Sequence, residues 1–492
     1  MKFLFDTNVL IPLEPGSTTD IEEGTLEAAR LYRLISESHC QVYLHPAVLD
    51  DIRRDKNTER RALREALVAK YPLLMGPPRL STRVEQMVGK VAPETHDWVD
   101  HLLLSSLEAN AVDFLVTEDV QLRKKAARLD LAARTLTIPD AITVVQNLFP
   151  KEVAPPPAVE KVMAYALDPA DPIFDSLEAD YEGFDAWLAK CQREHRPAWI
   201  IRGAKSELAA VTIVKPEDTA EFSGPAKILK ICTFKVSENS IGLKFGELLL
   251  KSVLTYADRN GFEWLYVEIM EKHGPLIHLL GDFGFEEASY KTRRGELVLA
   301  KPLCPSSEDM AKLSALDFNT RYGPFAARIK GEPTFVVPIL PRYHERLFPE
   351  LEKQQILFQG QEACGNSIRK AYLSQSSIRK IEPGANLLFY RSEDAQHVTA
   401  TGVVDGILVA SSPDDVARYV GARTVYSYSE ISELCEEGNK EVLSILFRQA
   451  RTPKVPLTLQ ELQEHGVLTA PPRSIVTVRT EATTWLQTRL HE

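Results

Sequence analysis

Four aspartates in the first 150 residues are placed to do chemistry together. Asp6 ends the apolar run Phe3-Leu4-Phe5, Asp51 lies in Pro46-Ala-Val-Leu-Asp-Asp-Ile52, Asp100 opens Asp-His-Leu-Leu-Leu, and Asp119 follows Leu115-Val-Thr-Glu. Carboxylates at the carboxyl ends of parallel strands converge in the crevice where such sheets bind ligands. Packed together they repel, so each needs a cation or a proton. Oxygen ligands without Cys or His select Mg²⁺ or Mn²⁺, ions that activate water and stabilise a phosphodiester leaving group. Singly, each aspartate is equally what a loop or helix N-cap uses, and Asp50 and Asp97 are alternatives to Asp51 and Asp100.

A second constellation follows the strand-like run Ile228-Leu-Lys-Ile-Cys-Thr-Phe-Lys-Val236. There Ile241-Gly-Leu-Lys-Phe-Gly-Glu-Leu-Leu-Leu250 opens an amphipathic helix. Exposed N–H groups and the dipole at such a start bind pyrophosphate, and glycines let the backbone approach it. The candidate cradle is Gly242, Leu243, Lys244, Phe245 and Gly246; the plain alternative is a strand-to-helix turn. A third group is basic and aromatic: Arg369, Lys370, Arg379 and Lys380, read on helical faces, near Tyr372, Tyr390 and Arg391. Such cations bind phosphates and such rings stack on unpaired bases. For each residue alone, a solvated helix or an ordinary core position is the simpler role.

The elements that position these residues fall into three segments. The chain has 492 residues, 44% hydrophobic and 26% charged, enough for about three domains. Pro150 to Pro157 carries four prolines and reads as a spacer, and Lys301 to Ser307 marks a second break. The expected domains are 1–149, 158–303 and 308–492. Short apolar runs alternate with helical stretches in the first, which predicts α/β with a parallel sheet. The middle reads as α+β around one sheet. The third reads as a small β-barrel with peripheral helices, including helices over 443–448 and 457–464. The net charge of −11 opposes gross attraction to nucleic acid, although residues 321–380 are locally basic. Six scattered cysteines without a CxxC pair suggest neither zinc nor a disulfide scaffold. No apolar run is long enough for a membrane span, the start reads as a strand rather than a signal peptide, and a cytoplasmic location is expected.

The aspartate set resembles the PIN domain family over residues 1–149. The resemblance implies an α/β/α parallel sheet and a metal-dependent ribonuclease in which Asp6, Asp51, Asp100 and Asp119 hold Mg²⁺ or Mn²⁺, supported by Asn8 and Thr117. The middle segment, from ILKICTFKV through WLYVEIM to Asp282-Phe-Gly-Phe285, resembles the GNAT acyltransferases. It implies acetyl-CoA, with its pyrophosphate on residues 242–246. Two places depart from that family's loop, Ile241 for Arg or Gln and Lys244 for Gly. Leu280 stands where a proton-donating Tyr is common and His273 where an Asn is, leaving Glu268, Tyr290 or water for acid–base work. The stretch KAYLSQSSIRKIEPGANLLFYRS, followed by TATGVVDGI, resembles the ASCH and PUA-like barrels, which implies RNA contact through Arg369, Lys370, Tyr372, Tyr390 and Arg391. The Gly-x-Lys-x-x-Glu-x-Arg signature of that family is not matched. Together these imply a metal-dependent RNA endonuclease with an acetyl-CoA-binding domain, in a toxin or stress-response role and as a possible homo-oligomer. The alternative is an N-acetyltransferase acting on RNA or protein.

Overall fold

A computed structural model describes residues 1–13, 25–38, 40–53, 61, 65, 68, 71–93, 95–149, 159–203, 207–237, 240, 244–326, 328–351, 367–450 and 452–491. The chain divides into two compact units, one of residues 1–152 with 409–442, the other of residues 153–408 with 443–492. No described helix is long and apolar enough to cross a membrane.

The N-terminal unit is built on a four-stranded sheet of β1 (Lys2–Phe5), β2 (Gln41–Leu44), β3 (Phe114–Val116) and β4 (Thr135–Leu136), in the order β2-β1-β3-β4 with every pair parallel. The strands are short and mostly apolar because helices cover the sheet, as parallel strands require. Helices α1 (Thr7–Leu13), α2 (Thr25–Glu37), α3 (Val48–Arg53), α4 (His96–Glu108), α5 (Val120–Arg128) and α6 (Ile138–Leu148) supply that cover. Helix α4 starts where Thr95 accepts the Trp98 N–H and buries Val99, Leu103 and Leu107, one stripe at i, i+4 and i+8. Residues 409–442 join this unit, where Arg418 pairs with Asp113 at 3.1 Å and Tyr428 stacks on Phe149.

The second unit carries two sheets. The first runs β10-β11-β9-β8-β7-β6-β5, from β5 (Val159–Met163), β6 (Pro197–Arg202), β7 (Leu208–Ala220), β8 (Gly224–Val236), β9 (Trp264–Ile269), β10 (Glu286–Lys291) and β11 (Leu297–Pro302). All its pairs are antiparallel except β8 with β9. Helices α7 (Phe245–Arg259) and α8 (Gly274–Asp282) belong to this half. Phe245, Leu249, Leu250, Val253, Leu254 and Ala257 of α7 pack on Leu229, Ile231, Leu265 and Val267. The other sheet contains β12 (Thr334–Ile339), β13 (Arg369–Ser374), β14 (Asn386–Arg391), β15 (His397–Ala410), β16 (Val442–Gln449), β17 (Leu457–Thr458) and β18 (Val476–Thr477). Its path is β13-β16-β15-β14-β12-β18, with β17 on β15, so the expected barrel is seen as a sheet path with β13 and β18 at its ends.

Two expected helices are corrected here. Residues 443–448 lie in β16, a run with all eight residues buried, and apolar continuity cannot by itself tell a buried strand from a helix. Arg369 and Lys370 lie on β13, not on a helical face.

Candidate functional site

The first feature is a wedge in the middle sheet. Strands β8 and β9 pair over four residues only, from Ile228 with Trp264 to Ile231 with Val267. Beyond that, β8 continues to Val236 against β7 alone. The parting coincides with a bulge: Thr233 opposes Ile213 and Ile231 opposes Val214, leaving Cys232 as the extra residue. An extra residue bends its strand and increases the local twist. Arg196 donates to the Cys232 sulfur at 3.6 Å, and burial pushes that thiol up to about 12, so it stays protonated near neutrality.

Helix α7 begins after the same strand. Its N-cap, Lys244, has φ 58° and ψ 24°, a left-handed conformation that favours glycine. The first N–H groups of any helix lack intrahelical acceptors, and the aligned dipoles of this 15-residue helix put partial positive charge at the end that Lys244 heads. Phe245 is 3% exposed and anchors the helix in the core. At Gly246 a Cβ would meet Leu279 Cδ2 of α8 at 3.1 Å, so the missing side chain lets α8 approach. Glu247 is buried in the same turn. Gly242 and Leu243 lie outside the described residues. A helix start with Lys244 as point charge fits a pyrophosphate, the group expected there.

On the sheet face away from α7, Lys230 Nζ lies 2.6 Å from Glu268 Oε2 and over the Tyr266 ring. The Tyr266 hydroxyl donates to Glu217 at 2.5 Å, and Lys215 donates to the other Glu217 oxygen at 2.8 Å. Burial, then the Glu217 carboxylate, pushes the Tyr266 phenol well above its ordinary range. Tyr290 is raised by burial and by the Glu221 and Glu268 charges. Leu280 is packed in the core at 1% exposure and offers no proton. His273 caps α8 beside Asp180, and burial lowers its pKa. Sequence reasoning found Glu268 but missed Lys230, Tyr266 and Glu217. The alternation of Tyr266 with Glu268, opposite Lys230, was the available signal.

In the N-terminal unit Asp6, Asp100 and Asp119 lie near enough for each charge to act on the others. Asp6 is 7% exposed and accepts from Thr7 N (2.7 Å), Asn8 Nδ2 (2.8 Å) and Thr117 Oγ1 (2.7 Å). Burial raises it to about 6 despite those bonds. Asp119 caps α5, accepting from Gln121 N (2.6 Å) and Leu122 N (3.1 Å). Lys125 bonds Asp97 (2.5 Å) and Asp100 (2.8 Å), one ammonium shared between two carboxylates. The Asp51 side chain lies outside the described ones. Among the described residues no three His, Cys, Asp or Glu side chains are grouped to hold a metal ion. Of the expected Mg²⁺ or Mn²⁺ ligands, Asp100 is thus paired with an ammonium and Asp119 caps a helix.

The basic group of the third segment is placed differently from the expected RNA surface. Lys370 and Tyr390 are buried at 0% and 1% exposure. The Tyr372 hydroxyl donates to Pro338 O at 2.6 Å. Arg391 pairs with Glu345 (2.9 Å) and Asp394 (2.7 Å), and Arg369 with Asp405 (2.8 Å). Cations so paired, and rings so buried, are not presented to a nucleic acid.

No family model and no curated protein matches the chain. Among solved structures it is similar to the ASCH protein of Zymomonas mobilis, at 15% identity over 32% of this chain and 94% of that one, with a TM-score of 0.25. It is similar to a GNAT family acetyltransferase of Elizabethkingia anophelis with acetyl-CoA bound, at 14% identity over 30% and 97%, TM-score 0.23. A GNAT family acetyltransferase of Staphylococcus aureus shows 10% identity over 30% and 100%, TM-score 0.24.

Proposed function

We propose that the chain is an acyl-CoA-dependent N-acyltransferase whose chemistry lies where β8 and β9 part. The observation that carries this reading is the parting itself, at the bulged Cys232 and just ahead of a helix start headed by Lys244. The Lys244 ammonium and the first-turn N–H groups of α7 would hold the pyrophosphate. An acyl-CoA bound there supplies a thioester carbonyl open to nucleophilic attack. Glu268, held by Lys230, is the group to take the proton from an attacking amine, the carbonyl–sulfur bond breaks as the amide forms, and coenzyme A leaves as a thiolate that solvent water protonates; removing such a base costs about 10²-fold or more in rate. The acceptor class is an amine on protein or RNA.

Metal-dependent RNA hydrolysis by the N-terminal unit gains no support from the engaged carboxylates. The test is transfer from labelled acetyl-CoA to lysine peptides, polyamines and RNA, with wild type beside Glu268→Gln. Transfer that collapses in the variant, with coenzyme A still bound, supports the reading. Absence of transfer to every acceptor class refutes it.

A further inference from the structure

We infer that Glu247 is a positioning residue through which the segment Ser367–Arg369 keeps the start of α7 open to phosphate, an inference that rests on the acyl-CoA reading above. Glu247 is the third residue of the helix after its Lys244 cap. A Glu at that position commonly turns back to accept the N-cap N–H, the place an anionic ligand would take. Here its carboxylate is engaged by another part of the chain instead. Its Oε2 accepts from Ser367 Oγ at 2.5 Å and from Ile368 N at 3.0 Å, and its Oε1 lies 3.6 Å from Lys244 Nζ. The side chain is buried at 7% exposure. Burial alone would raise its pKa, but Lys244 and these two donors bring it below the usual range, so it is ionised.

The segment that holds it is anchored on both sides. Ile368 packs in the same core as α7. Arg369 pairs with Asp405 at 2.8 Å and with Asp282, at the end of α8, at 3.5 Å. Arg448 of the neighbouring β16 donates to the Asp282 carbonyl at 2.7 Å, and Lys251 of α7 donates to Gln449 at 2.8 Å. Glu247 thus has two alternative acceptor roles. Held by 367–368, it leaves the first turn to a phosphate; released, it caps its own helix and puts a negative charge where the phosphate would sit. By linkage, phosphate binding and engagement of the segment then favour each other.

The test is a double-mutant cycle on the full chain, with coenzyme A titrated by calorimetry and pantetheine, which lacks the pyrophosphate, as the control. Ser367→Ala is expected to weaken coenzyme A roughly fivefold and to leave pantetheine unchanged. In a Glu247→Gln background, which keeps the shape but removes the charge, adding Ser367→Ala is expected to change coenzyme A binding less than about twofold. A Ser367→Ala loss that persists in the Gln background, or that strikes pantetheine equally, would show a merely structural role and overturn the inference. Wild-type binding with no effect of Ser367→Ala would overturn it alone, whereas no coenzyme A binding by wild type would remove the acyl-CoA reading beneath it.

Discussion

Replacing Lys244 by Gly should separate the conformational role of that residue from its electrostatic one. At φ 58° an L-residue pays about 1–2 kcal/mol for the left-handed conformation. Glycine adopts it freely but loses more backbone entropy on folding, about 0.5–1 kcal/mol. Both Lys244→Gly and Lys244→Ala lose the pairing with Glu247, so the backbone difference leaves the Gly variant more stable than the Ala variant by up to about 1.5 kcal/mol, which in a domain of this size separates their Tm values by about 2 °C. The same change removes the ammonium at the helix start. Its side chain is 26% exposed, so the lost phosphate contact is taken at the low end of charged hydrogen bonds, about 1.5 kcal/mol, or roughly tenfold in Kd. Lys244→Ala keeps the strained backbone, so it should lose the same affinity at the lower Tm. Differential scanning calorimetry and isothermal titration with coenzyme A measure both quantities. A Gly variant with a lower Tm than the Ala variant, or with Kd unchanged, would refute the assignment of Lys244 as cap and phosphate ligand.

Three further outcomes are expected. Glu268→Gln should lower kcat for acyl transfer about 10²-fold while coenzyme A affinity, read by calorimetry, stays within about twofold. Gly284→Ala should destabilise the second unit by about 3 kcal/mol, read as a lower urea midpoint, because φ is +79° and a Cβ would sit 2.1 Å from the Thr320 carbonyl oxygen. Asp6, lifted from 3.8 to about 6, keeps its proton better folded than unfolded. Its contribution is therefore present below about pH 4 and lost as pH rises to about 6, a change of about 2–3 kcal/mol. Urea unfolding at pH 4.5 and 7 should show Asp6→Asn gaining on wild type at the higher pH; no difference between the two pH values would sink this.

Local pattern located the strands around the wedge well, because ILKICTFKV and WLYVEIM are apolar, β-branched and bounded by turns. The same criterion misread Val442–Gln449 as partly helical, since a strand buried on both faces shows no period. The aspartates were legible as a convergent set, and Asp6 does lie near Asp100 and Asp119. Nothing in their spacing announced that Lys125, one helix away, would bond Asp97 and Asp100, or that Asp119 would spend an oxygen capping α5. Arg369 and Arg391 looked like a basic surface because their partners, Asp405 for one and Glu345 with Asp394 for the other, arrive through tertiary pairing. The placement of the Glu247 carboxylate likewise depends on Ser367, a contact spanning 120 positions.

The most direct measurement of the central claim is hydrogen–deuterium exchange of the full chain with and without acetyl-CoA. The account expects slower exchange confined to the first turns of α7, residues 244–250, and to the diverging end of β8, residues 232–236. Protection elsewhere with none in those two segments, or no change at saturating acetyl-CoA, would contradict it.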